Sequence, residues 1–197
     1  MNLPLSEVAQ AQLLAYVRLL TKWNGIYNLT ALRDEEQMVS HHVLDSLSLL
    51  PFIGEAKTLL DVGSGGGMPG IPVAIARPDL TVTLLDANSK KTTFLQQAVI
   101  ELGLNNVTVL TGRVETLGNM TFDVITSRAF AELNDFVRVT RQLLAPEGCW
   151  AALKGVYPYE EIAQLPADIA ADHVHAVQVA GIDAQRHIVM LSLRKGM

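Results

Sequence analysis

The chain has 197 residues, with 15 Lys and Arg against 20 Asp and Glu for a formal charge of −5, 49% hydrophobic residues and a single Cys. That apolar content without a simple repeat excludes a disordered or fibrous protein, and one cysteine excludes an internal disulfide scaffold or a zinc knuckle. The net charge has the wrong sign for bulk capture of nucleic acid, which leaves only a local basic face for such a partner.

The length suits one domain with a small appendage, and the sequence changes style near residue 55, so residues 1–54 are expected as a helical extension and 55–197 as the main domain. Leu13, Leu14, Val17 and Leu20 recur at helical spacing, and Asp34 with Gln37 forms a capping box for a helix reaching about Leu50. Between them lies Trp23-Asn24-Gly25-Ile26-Tyr27-Asn28-Leu29-Thr30, too rich in Gly, Asn and aromatic residues for a plain linker. Pro51 and Gly54 then punctuate the chain.

Beyond residue 55 short β-prone runs alternate with helical ones. Strands are predicted at 58–62, 81–86, 107–110, 122–126, 149–153, 173–179 and 187–193, with helices at 89–102 and 133–144. Apolar strands separated by helices imply a parallel sheet covered on both faces. The link at 180–186 is too short for a parallel crossover, so the last two strands should be antiparallel. No stretch reaches the roughly 18 apolar residues of a membrane span. Met1-Asn2-Leu3-Pro4 opens with no basic or long apolar run, and a cytoplasmic setting is expected.

The strongest local signal is Asp61-Val62-Gly63-Ser64-Gly65-Gly66-Gly67-Met68-Pro69-Gly70, which follows a predicted strand and leads into a helix opened by Ile71-Pro72. Glycines admit close approach of a ligand, and a helix amino terminus offers N–H groups to an anion. Gly65, Gly67 and Gly70 match the spacing of a dinucleotide loop, but the spacing alone is weak. Asp86, ending the next strand, is placed to accept ribose hydroxyls. Asp61 would oppose a pyrophosphate, yet it suits a ligand with a zwitterionic amino-acid end, which describes S-adenosylmethionine.

The segments Lys22-Trp23-Asn24, Tyr27-Asn28-Leu29-Thr30, His42-Val43-Leu44-Asp45-Ser46, Asp61–Gly65, Pro69-Gly70-Ile71-Pro72, Phe94-Leu95, Arg113-Val114-Glu115, Ser127-Arg128-Ala129, Lys154-Gly155 and Arg186-His187 occur in one order along the chain. In that order they resemble the RsmG (GidB) family, guanine-N7 methyltransferases of bacterial 16S ribosomal RNA. The resemblance implies a Rossmann-like class I methyltransferase with a mostly parallel seven-stranded sheet, one antiparallel strand near the carboxyl end and a helical extension. It also implies S-adenosylmethionine as cofactor and 16S RNA as partner; the acidic balance points to a small subunit or precursor rather than naked RNA, and a monomer without metal is expected. By position, Gly63, Gly65 and Met68 would serve the methionine end, Val114 and Glu115 the adenine, and Arg128 the cofactor or the acceptor base. The family usually follows the second acid with Lys-Arg, whereas Lys90-Lys91 stands here and loses bidentate phosphate geometry.

Methylating N7 requires no proton removal, so Arg128 is expected to position rather than to act as acid or base. A bidentate guanine contact by Arg128 would occupy the reacting atom, which leaves the cofactor carboxylate, O6 alone or a phosphate as its target. Lys90, Lys91, Arg113, Lys154 and Arg186 fall at or near strand ends and are candidates for RNA contacts, with Arg18, Lys22 and Arg33 as a second wall. Trp23 and Tyr27 read as packing, Cys149 as buried and inert, and His173, His175 and His187 as surface or edge residues. His41-His42 with Asp45 supplies only one side of a metal site, and the work of His42, Asp45 and Ser46 stays open. Methylation of a small molecule or a protein, and a non-catalytic nucleotide-binding module, are the alternative functions.

Overall fold

Ser6 opens the first helix by accepting the N–H of Ala9 at 3.2 Å, and Asn28, in the left-handed conformation, closes it. This helix, α1 (Glu7–Tyr27), buries Leu13, Tyr16, Val17 and Leu20 along one stripe. Asp34 accepts the Gln37 N–H at 2.8 Å, as the capping box predicts, and starts α2 (Glu35–Met38), a π-wound stretch (Val39–Leu44) and α3 (Asp45–Leu47) in unbroken succession. The helix stops at Leu47, short of the expected Leu50, and a 3-10 turn, Leu50–Phe52, carries Pro51 at its start. The computed structural model describes residues 4–128, 130 and 132–194, so Ala129 of the Ser127-Arg128-Ala129 motif and residues 1–3 lie outside the described residues.

The main domain runs β1 (Thr58–Val62), α4 (Gly70–Ala76), β2 (Thr81–Asp86), α5 (Ser89–Leu102), β3 (Val107–Thr111), β4 (Phe122–Arg128), α6 (Leu133–Thr140), β5 (Leu144–Lys154), α7 (Tyr159–Ala163), β6 (Ile169–Ala176) and β7 (His187–Leu193). The sheet order is β3-β2-β1-β4-β5-β7-β6, and only β7 runs against its neighbours. Strand β5 begins five residues before the predicted 149–153 because Phe122 pairs with Leu144 across an irregularity near Asp123. Strand β6 is displaced toward residue 169, since pairing with β7 ends at Ala176.

Alternation along the strands sorts two cores. Leu59, Val82, Leu84, Val124 and Leu153 join the extension, α4 and α5 on one face, and Leu60, Val62, Leu85, Ile125 and Trp150 join α6 on the other. Trp23 packs on Phe94 and Tyr27 at ring separations of 5.9 and 5.4 Å, as their packing role predicts. The outcome that matters for function is the rim. Because β7 is antiparallel, its first residue, His187, pairs with Lys154 at the end of β5, and the ends of β1, β2, β4 and β5 open beside the helical extension.

Candidate active site

The glycine-rich turn after β1 is held from three directions. Gly63 and Ser64 donate to the Leu85 carbonyl at 2.8 and 3.0 Å, and Gly65 donates to Oδ2 of Asp86 at 2.9 Å. From α1, the wholly buried Tyr16 donates its hydroxyl to the Gly66 carbonyl, and burial pushes that phenol well above its usual range. Gly67 sits at φ +93°, and a Cβ there would fall 2.5 Å from Ile71 Cδ1, so the turn admits only glycine at this point.

Two acids define the chemistry of the turn. Asp86 is 7% exposed; its Oδ1 accepts the Asn88 N–H at 2.8 Å, and Lys91 Nζ lies 3.8 Å from Oδ2. Asp61 is fully buried, accepts the Gly70 N–H through Oδ2 at 3.0 Å, and has no hydrogen-bond partner on Oδ1 among the described residues. Burial raises its carboxyl from 3.8 to about 7, opposed by the Gly70 N–H. His42 moves the other way, down to about 4, because burial and the nearby Arg128 guanidinium both disfavour a charged ring.

These shifts oppose one another in stability. Asp61 favours folding fully below 3.8, and that contribution is lost as pH rises through about 7. His42 contributes above 6.5 and loses that contribution as pH falls through about 4. The clean test is therefore Asp61→Asn against the parent chain in urea unfolding. The variant should gain on the parent between about pH 4 and pH 7 and level off above that, and a difference independent of pH would contradict a carboxyl held protonated by burial.

Two cavities meet at Phe130 on the rim. The smaller, about 230 Å³, is lined by Val62, Gly63, Asp86, Arg113, Val114 and Glu115 among others. The larger, about 630 Å³, is lined by residues including Thr30, His41, His42, Asp45, Arg128, Lys154, Arg186 and His187. Of the residues expected at the cofactor, Gly63, Asp86, Val114 and Glu115 come together at the smaller cavity. Gly65 stands behind it on Asp86, and Met68, 5% exposed, sits in the core with its Sδ 3.1 Å from Nη2 of Arg128.

Arg128 spans from this turn to the helical extension. Its Nη1 donates to the His41 carbonyl at 2.9 Å and approaches Oδ2 of Asp45 at 3.4 Å, while the other oxygen of Asp45 accepts from Nε of Arg186 at 3.0 Å. Asp45 thus bridges two guanidiniums that are 83 and 141 residues away in sequence. His42 Nε2 lies 2.7 Å from Thr30 Oγ1, and Ser46 returns its hydroxyl to the His42 carbonyl. The His-x-x-Asp-Ser segment is the scaffold of the larger cavity.

Among the basic candidates, Lys154 and Arg186 line the larger cavity, and Lys154 Nζ is 2.7 Å from Oε2 of Glu161. Arg113 lines the smaller one, Lys91 faces Asp86, and Lys90 is exposed on the first turn of α5. Two histidine expectations divide. His173 is exposed and His175 stacks on Phe52, but His187 is buried at 7% exposure and lines the cavity. It is not at an edge because β6 covers β7 from outside. Cys149 is half-buried rather than buried, and desolvation pushes its thiol up. No group of three metal-ligating side chains and no helix long and apolar enough to cross a membrane occurs among the described residues.

This sheet order, with its glycine turn after β1, an acid closing β2 and a rim cavity beside both, defines a class I S-adenosylmethionine-dependent methyltransferase. In fold it is similar to a SAM dependent methyltransferase from Aquifex aeolicus (TM-score 0.60, 20% identity, covering 79% of this chain and 92% of that one) and to the O-methyltransferase from Bacillus cereus in complex with SAH (TM-score 0.62, 18% identity, 91% of each). Residues 9–189 match the GidB family model, described as rRNA small subunit methyltransferase G, and the chain belongs to that family. It is 63% identical over 194 residues to the Ribosomal RNA small subunit methyltransferase G of Neisseria meningitidis serogroup B, spanning 98% of this chain and 94% of that protein. The corresponding protein of Laribacter hongkongensis is 60% identical over 195 residues, with the same coverage.

Proposed function

We propose that the protein transfers a methyl group from S-adenosylmethionine to N7 of a guanine in 16S ribosomal RNA, acting as a cytoplasmic monomer on the small subunit or its precursor. The observation that carries this reading is the pair of cavities meeting at Phe130, one with the acids Asp86 and Glu115 set in a largely apolar lining, the other lined by three cations.

The residues present fit the cofactor. Oδ1 of Asp61 is a buried carboxyl oxygen lacking a partner among the described residues, behind the turn whose Gly63 lines the smaller cavity; an ammonium-bearing ligand bound there would draw off the proton that burial favours. A carboxylate has about four lone-pair directions, so Asp86 keeps capacity for ribose hydroxyls beyond the two N–H groups it accepts. Val114 and Glu115 would meet the adenine, Gly63, Gly65 and Met68 the methionine end, and Arg128 the junction with the acceptor base. When bound, S-adenosylmethionine supplies an electrophilic methyl on a sulfonium whose leaving group is neutral.

What the chain must add follows from the acceptor. Guanine N7 presents an in-plane lone pair and no proton, so the task is to bind the base splayed from its stack, exclude water and align it. Burial and Arg128 hold the His42 ring neutral at neutral pH, so it adds no positive charge to oppose the one that develops on the methylated base. Arg128, committed to the His41 carbonyl and Asp45, positions the acceptor instead of transferring protons. Lys154 and Arg186 then face phosphate, with Arg113, Lys90 and Lys91 along the neighbouring rim. An overall charge of −5 makes a ribosomal particle a better substrate than naked RNA.

The single-turnover rate, with cofactor and small subunits saturating, should be flat from pH 6 to 8.5. An ionisation near neutrality that persists in Asp61→Asn would show that a side chain takes or gives a proton in the step, and would point to an acceptor other than N7.

A further inference from the structure

Immediately after Lys154 and Gly155 on the wall of the larger cavity, the chain presents Val156, Tyr157 and Tyr159 to solvent at 72%, 36% and 72% exposure. These two tyrosines are the aromatic members of the exposed large hydrophobics among the described residues; the aromatic rings of the extension, Tyr16, Trp23, Tyr27 and Phe52, are packed. Their rings lie 4.1 Å apart at 30°, and Tyr157 meets the edge of His187 at 5.6 Å and 80°. His187 in turn lines the cavity and places Nδ1 3.0 Å from the Gly155 carbonyl. A row of rings therefore leads from the cavity wall outward.

The row is braced rather than loose. Tyr159 donates its N–H to the Tyr157 carbonyl at 3.1 Å, across Pro158, and so holds the pair together at the start of α7. Glu161 anchors α7 by accepting from Lys154 Nζ at 2.7 Å and from the Leu133 N–H at 2.8 Å. Exposed aromatic surface costs solvation free energy and is retained where it has a partner. Single-stranded RNA supplies one, because an unstacked base offers a π-face of the right size while nearby cations take the phosphate.

We propose that Tyr157 and Tyr159 form a stacking platform for an unpaired base flanking the target guanine of the substrate RNA. This rests on reading the adjoining cavity as the guanine site. Continuity with that cavity and the cations Lys154 and Arg186 beside it favour a nucleobase over a protein surface as the occupant.

The test uses the full chain, small subunits lacking the modification, and a short single-stranded RNA carrying 2-aminopurine beside a guanine. Tyr157→Ala with Tyr159→Ala should raise the KM for subunits about ten- to hundredfold, with kcat and S-adenosylhomocysteine affinity unchanged. Tyr159→Trp should restore binding because it keeps a stacking face. The parent chain should quench 2-aminopurine fluorescence and the double alanine variant should not. An unchanged KM, equal quenching by both chains, no quenching by either, or a KM effect without a difference in quenching (a ribosomal-protein contact) each overturns the platform. Failure of the parent chain to label any guanine would instead overturn the proposed function.

Discussion

Gly70→Ala should leave a chain that melts well below the parent and no longer binds S-adenosylhomocysteine measurably. Gly70 begins α4, and its N–H is held by Oδ2 of Asp61 at 3.0 Å. A Cβ at this position would sit 2.2 Å from Leu84 Cδ2 and 2.8 Å from that same Asp61 oxygen. Leu84 and Asp61 are both fully buried, so neither side chain has solvent to retreat into. Overpacking of this kind costs about 1–3 kcal/mol and displaces backbone, here that of the glycine-rich turn proposed to hold the cofactor. Gly25→Ala is the control, because nothing lies within 4 Å of its added methyl and the residue is within α1. That substitution should stabilise by about 0.5–1 kcal/mol through helix propensity alone. Thermal melting with calorimetric titration reads both, and parental cofactor affinity in Gly70→Ala would contradict the packing argument.

Asp45→Asn should lower kcat for subunit methylation about a hundredfold, or about 2.8 kcal/mol at about 1.4 kcal/mol per decade, while cofactor affinity changes only a few-fold. The asparagine preserves shape but removes the charge that holds Arg128 and Arg186 on opposite oxygens. With the Asp45 side chain only 7% exposed and those of the arginines about one-fifth exposed, the other restraints on the two guanidiniums are neutral groups, the His41 carbonyl and Met68 sulfur on Arg128 and the Gln185 carbonyl on Arg186. Released, either can swing onto the acceptor nitrogen or repel the other. A merely structural role for Asp45 would show as a lower melting temperature with kcat intact. Retention of kcat within threefold would remove Asp45 as a positioning residue.

How far the sequence disclosed this site depends on the distance over which each contact acts. The strands β1, β2 and β7 and the helix α5 follow from local signals, continuous apolar runs and an Asn88 cap that accepts the Lys90 N–H. The smaller cavity gathers Gly63, Asp86, Val114 and Glu115 because each ends a strand or follows one, and a parallel sheet brings such positions together; of these only Asp86 follows from its place at a strand end, the other three from the family resemblance. Asp45 was visible one helical turn after His42, but its partners come from β4 and from the residue before β7. No periodicity in 35–50 reports a contact 141 residues away. His187 was misread as an edge residue for a related reason. That β7 inserts between β5 and β6 depends on strand order, and a short connection establishes only that two strands are antiparallel. Phe130, at the meeting of the two cavities, follows β4 in a stretch without a periodic signal.

The central claim is that the rim of this sheet brings a methyl donor to N7 of a guanine in small-subunit RNA. It is tested most directly by incubating the purified protein with labelled S-adenosylmethionine and small subunits from a strain lacking the corresponding gene, then mapping the label. One guanine in 16S RNA should carry the label and be cleavable after borohydride and aniline, as an N7-methylated base must be. Label on another atom, on ribosomal protein, or nowhere despite cofactor binding would contradict it.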